Sequence, residues 1–385
     1  MKRNTVHNLA PLYLQPLRWL TYACVAVYHR IAFRIRMWGR LPVRRGPTIV
    51  VANHQHEIES PVVVADLAIT SLSWRYPIFT ASSRRMFEPG FFAERIPWLT
   101  IFRTVNLGGL FASIGMQPIE NELSQRPFGS IAFFFSRDRD PGVREIFTEK
   151  TLERIPPDVR TLRDILAAKH FSFARSYVRM NEIREPHRTE IMRAMRGEIE
   201  RDIEHFENLV RDGATVFLTP EGFYTGDGRM QRLRGILSRL APLAATWLAA
   251  ISYDPYDERR LTMLYRVLPA PDGVAIDLQL KGSRPVTTSA LVCTYLASHP
   301  EADLAEVLQG VKTQLAALPR QAFVVPELRA DPRPAVERVL RNIRAFGRKH
   351  PQFPRTPDMI EYQRNFHEET LDGLTALAAS AGEHR

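Results

Sequence analysis

Residues 48–61 have the sequence TIVVANHQHEIESP, and this stretch decides the fold. Its first five residues form a short, largely β-branched run after Gly46 and Pro47, which predicts a buried strand. Pro61 then stands near the start of an apolar stretch, residues 62–72, and proline is well placed in the first turn of a helix. A strand that passes through a polar turn into a helix is typical of an α/β sheet.

The same alternation of strands and helices continues along the chain. Residues 77–81 and 214–218 are further predicted strands, and apolar residues within 188–210 recur every three or four positions, which predicts a long amphipathic helix. Residues 241–253 and 261–268 are mixed apolar stretches that suit a helix and a strand. We therefore expect an α/β protein with a mixed, largely parallel sheet flanked by helices.

The composition is that of a globular protein with an uneven charge. The chain has 45% hydrophobic and 24% charged residues, and its two cysteines form neither a disulfide framework nor a Cys-x-x-Cys pattern. No run approaches 18 apolar residues, which excludes a protein with several membrane-spanning helices. The net charge is +10, and nine basic side chains without an acidic one precede Glu57. Such a basic field suits a polyanion, either nucleic acid or an anionic membrane.

The basic N-terminal segment contains an aromatic, apolar run from Trp19 to Tyr28 that is too short to cross a bilayer. Arginines flank it, so the rings suit headgroup depth and the guanidinium groups suit lipid phosphates. The alternative is a helix that packs on its own domain with a solvated basic face. No nucleic-acid partner is expected, because no DNA- or RNA-binding motif accompanies the charge. We expect residues 1–44 to hold a peripheral protein to an anionic membrane. The cytoplasmic face is favoured because no export signal is evident and both cysteines can stay reduced there.

A histidine and a carboxylate follow the first predicted strand, where α/β sheets gather their catalytic groups. On a regular helix His54 and Glu59 would not share a face, but a carboxylate that begins the helix can reach a histidine in the preceding turn. Such a carboxylate fixes the tautomer of the imidazole and raises the basicity of its other nitrogen. The pair would then act as a general base on a hydroxyl group. The alternative is a histidine held by a local turn.

A metal site is a competing interpretation of the same turn. His54-x-His56 resembles the first part of the ligand motif of metallo-β-lactamase-like hydrolases. Ile58 stands where that motif has aspartate, and Glu59 stands where it has its last histidine. A metal-dependent hydrolase is therefore the third candidate function.

A second motif follows the strand predicted at residues 214–218. Pro220-Glu221-Gly222 leads into a turn with Asp227-Gly228, and several arginines follow. Alone, this motif would indicate a tight loop. Together with Asn53-His54-x4-Glu59-Ser60-Pro61, it resembles the glycerolipid acyltransferase superfamily, whose best-known members are the 1-acyl-glycerol-3-phosphate acyltransferases. That family has Asn-His-x4-Asp-x-Pro and Phe-Pro-Glu-Gly-Thr-Arg-Ser, each after an apolar strand, and the resemblance covers roughly residues 45–285.

The resemblance implies a transferase of phospholipid biosynthesis that moves a fatty acyl group from acyl-CoA or acyl carrier protein to a hydroxyl of a lysophospholipid-like or other lipid acceptor. His54 would be the general base, Glu59 would orient it, and attack on the thioester would be direct. Pro220, Glu221 and Gly222 would shape the acceptor site, and no metal or redox cofactor is implied. The candidate arginines for the phosphate of the acceptor are Arg84, Arg85, Arg103, Arg229, Arg232 and Arg234.

Departures from the family pattern support an alternative, a catalytically degenerate member that binds lipid or acyl carrier without turnover. Glu59 replaces aspartate, and Phe223-Tyr224 replaces Thr-Arg, so the phosphate-binding arginine is missing from that place. The best match to the family's second block is residues 99–106, with Arg103 out of register. The expected organisation is a basic segment (1–44), an acyltransferase domain (45–285) with a helical insertion (108–211), and a helical extension (286–385).

Overall fold

The computed structural model describes residues 15–41, 46–70, 78–87, 108–119, 124–136, 139–222, 224–271 and 273–383, without the side chains of Gln15, Arg85 and residues 381–383. The chain divides into two compact units. The first comprises Met1–Ala81, Ser113–Met116 and Phe206–Arg385, and the second comprises Ser82–Ala112 and Gln117–His205. Most of the predicted insertion thus falls in the second unit.

The described strands form one large sheet and one small sheet. The strands are, in chain order, β1 (Arg34–Trp38), β2 (Thr48–Ala52), β3 (Ile78–Ser83), β4 (Met116–Ile119), β5 (Gln125–Pro127), β6 (Tyr177–Arg179), β7 (Thr215–Leu218), β8 (Ala245–Asp254) and β9 (Thr262–Pro269). The seven-stranded sheet has the order β1-β9-β8-β2-β7-β3-β4, and β5 pairs with β6. β2 runs parallel to β7 and β8, β3 to β7, and β1 to β9, whereas β8 and β9 are antiparallel. The α/β class and the mixed, mostly parallel sheet are confirmed.

Helices flank the sheet and fill most of the rest of the described chain. They are, in chain order, α1 (Gln15–Ala32), α2 (Glu59–Thr70), α3 (Gly108–Ser113), α4 (Phe128–Ser136), α5 (Val143–Ile146), α6 (Glu149–Leu152), α7 (Leu162–Ile165), α8 (Phe171–Ala174), α9 (His187–Arg211), α10 (Ile236–Leu240), α11 (Ile276–Ser283), α12 (Thr288–Ser298), α13 (Leu304–Ala317), α14 (Pro326–Ala330), α15 (Pro332–Phe346) and α16 (Met359–Glu383). The long amphipathic helix predicted at residues 188–210 is confirmed as α9. The stretch at 241–253 is mainly the strand β8, whose burial on nearly every residue hides the alternation expected of a strand.

The strand β2 lies inside the sheet, between β7 and β8, and all five of its residues are buried. This position explains its continuous apolar run, because a strand covered on both faces has no polar side. Val51 of β2 lies opposite Leu218 of β7 in a parallel pair, so the carboxyl ends of the two strands meet at one edge. The turn after β2 and the loop after β7 therefore lie side by side.

The basic N-terminal segment is built into the first unit more than the sequence suggests. β1 is an edge strand of the sheet, so residues 34–38 of the segment that the sequence predicts to contact a membrane are also part of the sheet. Four arginines of the segment are engaged within the chain: Arg18 with Ser113 O, Arg30 with Asp66, Arg34 with Glu258, and Arg36 with Glu327. Each of these guanidinium groups thus has a partner within the chain. Lys2, Arg3, Arg44 and Arg45 lie outside the described residues.

The helix α1 has two distinct faces. Tyr22, Ala26 and His29 are buried on its inner face, and the hydroxyl of Tyr22 donates to Ile114 O at 2.6 Å. An outer stripe of large apolar side chains, 41–69% exposed, runs along the opposite face: Leu17, Leu20, Val27, Tyr28 and Ile31. Among the described residues, no helix combines the length and the hydropathy that crossing a membrane requires.

Candidate active site

The predicted histidine–carboxylate pair is formed in the turn between β2 and α2. Glu59 is the first residue of α2, and its Oε2 lies 2.5 Å from Nδ1 of His54. Its Oε1 accepts the backbone N–H groups of Gln55 and His56 at 2.6 and 2.7 Å. Glu59 is fully buried, so these three donors replace the water that a carboxylate would otherwise need. The arrangement is the one expected from sequence, with the histidine in the turn and the carboxylate at the start of the helix.

The contacts of His54 leave its second nitrogen open. Nδ1 faces Glu59, so the neutral ring carries its proton on Nδ1 and a lone pair on Nε2. No described residue forms a hydrogen bond with Nε2 of His54. Burial lowers the pKa of His54, but the charge and hydrogen bond of Glu59, together with the charge of Glu221, outweigh it and raise that pKa. The result is a strengthened base whose acceptor nitrogen is available to a substrate.

Asn53 fixes the end of β2 against β8. Its side-chain Oδ1 accepts the N–H of Ile251 at 2.7 Å, and its Nδ2 donates to the carbonyl of the same residue at 3.0 Å. The side chain is fully buried. Asn53 stands directly before the histidine in the sequence, but its partner Ile251 lies 198 positions away, so the motif alone does not predict this role. By closing the strand end with two hydrogen bonds, Asn53 defines where the turn with His54 begins.

Glu221, from the loop after β7, joins the two motifs. Its Oε1 accepts the backbone N–H of His54 at 2.6 Å, and its Oε2 accepts that of Gln231 at 2.7 Å. The side chain is 2% exposed, and burial raises its pKa to about 7, although the two backbone hydrogen bonds act in the opposite direction. Glu221 is therefore a positioning residue, which ties the backbone of the general base to the second loop.

Gly222 and Arg234 give that loop its shape. Gly222 has φ +80°, and a Cβ at this position would lie 2.4 Å from Nε of Arg234. The same Nε donates to the carbonyl of Glu221 at 3.1 Å, and the backbone N–H of Arg234 donates to the carbonyl of Pro220. Arg234 thus stabilises the loop through hydrogen bonds to two of its carbonyl groups. The N–H of Gly222 donates to Thr219 O at 3.1 Å.

Aromatic rings form one wall of the site. The ring of Tyr224 meets that of His54 edge to face at 5.3 Å and stacks on that of His56 at 6.2 Å. His56 Nε2 lies 2.8 Å from the carbonyl of Gln352, to which it donates, and the ring of Phe353 packs against His56 at 5.3 Å.

In the described part of the chain, no group of three or more His, Cys, Asp and Glu residues is placed to hold a metal ion.

The arginines proposed from sequence have different surroundings. Arg84 belongs to the second unit, where it pairs with Asp202 at 2.5 Å, and Arg103 and the side chain of Arg85 lie outside the described residues. Arg229 is exposed and lies 3.8 Å from Glu368, and Arg232 is exposed.

No pattern in the sequence predicts the buried ion cluster that contacts the second loop. Arg284, 1% exposed, lies 3.4 Å from Oε2 of Glu369, which also accepts the N–H of Met230 at 2.9 Å. Lys281 pairs with Oε1 of Glu369 at 3.1 Å. The cluster binds α11 and α16 to the loop that carries Glu221. These residues stand far from both motifs along the chain, so only the fold brings them together.

Comparison with known proteins adds no family to these observations. No known protein family and no curated protein matches the chain. Any proposal about function therefore depends on the two sequence motifs and on the geometry of His54, Glu59 and Glu221.

Proposed function

We propose that this protein is an acyltransferase that moves an acyl group from a thioester, acyl-CoA or acyl carrier protein, to the hydroxyl of a lipid acceptor. One observation carries the proposal. Nδ1 of His54 is held 2.5 Å from a fully buried carboxylate, while Nε2 has no partner among the described residues. A base so arranged suits abstraction of a proton from a hydroxyl. The resemblance of both motifs to the glycerolipid acyltransferases supplies the reaction class.

The proposed chemistry needs one proton carrier. The acceptor hydroxyl gives its proton to Nε2 of His54 as its oxygen attacks the thioester carbonyl. The buried carboxylate of Glu59 stabilises the imidazolium that forms. When the carbon–sulfur bond breaks, the departing thiolate takes the proton from Nε2, so His54 returns to its neutral state and a free thiol is released.

We also propose that the protein works at a membrane surface. Support comes from the outer stripe of α1, where Leu20, Val27 and Ile31 are 55–69% exposed. An apolar stripe on a helix whose opposite face is anchored suits shallow insertion between lipid headgroups. The cytoplasmic face stays a prediction from the sequence.

A transfer assay tests the proposed activity. The purified protein is given acyl-CoA or acylated carrier protein with a panel of lysophospholipid acceptors, and free thiol and acylated product are measured. We expect thiol release that depends on the acceptor, and we expect His54→Ala to reduce kcat about 10²- to 10⁴-fold while the protein keeps the circular dichroism spectrum of the folded wild type. Donor binding without transfer would support the degenerate interpretation, and an unaffected His54→Ala variant would contradict the mechanism.

A further inference from the structure

Arg355 presents an exposed guanidinium group beside the His54–Glu59 pair. Its Cζ lies 4.8 Å from the centre of the Tyr224 ring, and this ring meets the His54 ring edge to face at 5.3 Å. One aromatic ring therefore lies between the cation and the proposed base. Arg355 is exposed, and no carboxylate of the described chain forms an ion pair with it.

The backbone that carries Arg355 is fixed to the site. Gln352 accepts a hydrogen bond from His56 Nε2 at 2.8 Å, and Phe353 is 3% exposed. The backbone of Gly226 approaches so closely that a Cβ there would lie 2.3 Å from the carbonyl oxygen of Arg355. The segment thus places a cation at a constrained position, although the side chain itself faces solvent.

Three other described cations around the second loop already have partners, and Arg232, in the same loop, is exposed. Arg234 donates to the carbonyl of Glu221, Arg284 is buried against Glu369, and Arg229 lies near Glu368. These contacts within the chain are enough to explain why the three arginines lie where they do, without a ligand. Among the described residues, the guanidinium group of Arg355 contacts only the face of Tyr224, an interaction that orients the group and leaves its N–H donors open.

We propose that Arg355, stacked on Tyr224, binds a phosphate group of the acceptor whose hydroxyl is deprotonated by His54. The inference rests on the proposed function and names a feature of its substrate. A guanidinium group binds phosphate through paired N–H donors, and stacking on a ring reduces the entropy lost on binding.

The proposal has an electrostatic consequence for the base. The charged groups that act on His54 are Glu59 and Glu221, which raise its pKa, and Arg355, which lowers it. The ring of Tyr224 packs against His54 and, on its own face, against the ring of His56. A phosphate bound to Arg355 offsets the positive charge and adds negative charge nearby. The pKa of His54 should therefore rise when phosphate binds.

Nuclear magnetic resonance of histidine-labelled protein tests the site without turnover. The titration of His54, assigned with His54→Ala, is followed with and without inorganic phosphate in the wild type, Arg355→Ala and Arg355→Lys. Arg333→Ala, an exposed arginine of α15 paired only with Glu337 among the described residues, is the matched control. We expect phosphate to raise the pKa of His54 in the wild type and the control, weakly in the lysine variant, and not in Arg355→Ala. An equal response in Arg355→Ala would overturn the proposal.

Kinetics identify which substrate carries the phosphate. Acceptor pairs that differ only in a phosphate group are compared, and we expect Arg355→Ala to raise KM for the phosphorylated acceptor about 10- to 100-fold while KM for the donor is unchanged. A raised KM for the donor instead would overturn the acceptor assignment. A phosphate response of His54 without transfer to any acceptor would contradict the proposed function and leave the anion site standing. Acyl transfer by Arg355→Ala with an unchanged KM for the acceptor would contradict the anion site and leave the proposed function standing.

Discussion

At the scale of single residues, the two oxygens of Glu59 have different partners, and this difference sets the tautomer of His54. Oε1 accepts two backbone N–H groups, and Oε2 faces Nδ1 of the ring. In a Glu59→Gln variant the N–H groups select the amide oxygen, so the NH₂ group points at the ring. Nδ1 must then hold the lone pair, and Nε2 carries the proton, which is the wrong tautomer for a base.

Glu59→Gln should therefore reduce kcat/KM by about 10²- to 10⁴-fold, as much as loss of the histidine, rather than mildly. The missing charge also lets burial dominate, so the pKa of His54 falls and the acidic limb of the pH–rate profile moves to lower pH. Glu59→Asp is the control, because it keeps the charge and shortens the reach, and we expect partial activity with the limb near its wild-type position. A Glu59→Gln enzyme with the wild-type pH profile would contradict this account.

The raised pKa of Glu221 gives a second prediction, on stability. The folded protein holds this proton up to about pH 7, whereas the unfolded chain releases it near the ordinary value of 4.5. Stability from this group is thus greatest below pH 4.5 and declines as the pH rises towards 7. Glu221→Gln removes the decline, so between pH 5 and 8 its free energy of unfolding should improve relative to wild type by up to about 3 kcal/mol. Urea unfolding at pH 5 and at pH 8 measures this difference in the free energy of unfolding, with the exposed Glu368→Gln as the control. If the free energies of Glu221→Gln and the wild type changed with pH in the same way, Glu221 would not be a buried acid with a raised pKa.

At the scale of secondary-structure elements, α11 and α16 are joined to the second loop through Glu369. Its carboxylate neutralises Arg284, which is 1% exposed, and accepts the N–H of Met230. Glu369→Gln leaves the buried guanidinium group of Arg284 without the carboxylate that is paired with it, and we expect a loss of about 3–5 kcal/mol in the free energy of unfolding. Glu368, 50% exposed and 3.6 Å or more from its arginine partners, is the matched control and should cost about 1 kcal/mol or less when changed to Gln. If chemical denaturation gave equal losses in the free energy of unfolding for Glu369→Gln and Glu368→Gln, the buried pair would contribute no more to stability than the exposed one.

At the scale of the whole molecule, the sequence predicts those features that depend on residues close together along the chain. The fully buried strand β2, the start of α2 and the His54–Glu59 contact all depend on residues within a dozen positions of one another, so the stretch 48–61 contains the information for them. The partners of Glu221 and the position of Arg355 depend on strand order and on the return of the C-terminal segment. No nearby residue signals these contacts, because they arise only when distant parts of the chain pack together.

The charge of the N-terminal segment shows the same limit. Nine basic residues without an acidic one suggested a field directed at lipid phosphates. In the fold, acidic residues from distant positions, such as Asp66, Glu258 and Glu327, neutralise arginines of α1 and β1. Among the described residues of this segment, Arg40 is exposed, and the outer stripe of α1 presents an apolar rather than a charged surface. Membrane binding should therefore depend more on this stripe, and less on salt, than the composition implies.

Two substitutions on the outer stripe test this conclusion without disturbing the fold. Leu20 and Val27 are 55% and 59% exposed, and a large aliphatic side chain that leaves water contributes about 1.5–3 kcal/mol. Leu20→Glu with Val27→Glu should therefore weaken binding in vesicle co-sedimentation at least about 100-fold, while the circular dichroism spectrum and melting temperature stay unchanged. Deleting residues 1–40 is a poorer test, because it also removes β1 from the sheet. Leu166→Glu, at an exposed leucine outside α1, is the matched control and should bind as the wild type does. If the double variant still binds anionic vesicles and this binding disappears at high salt, the arginines and not the outer stripe make the membrane contact.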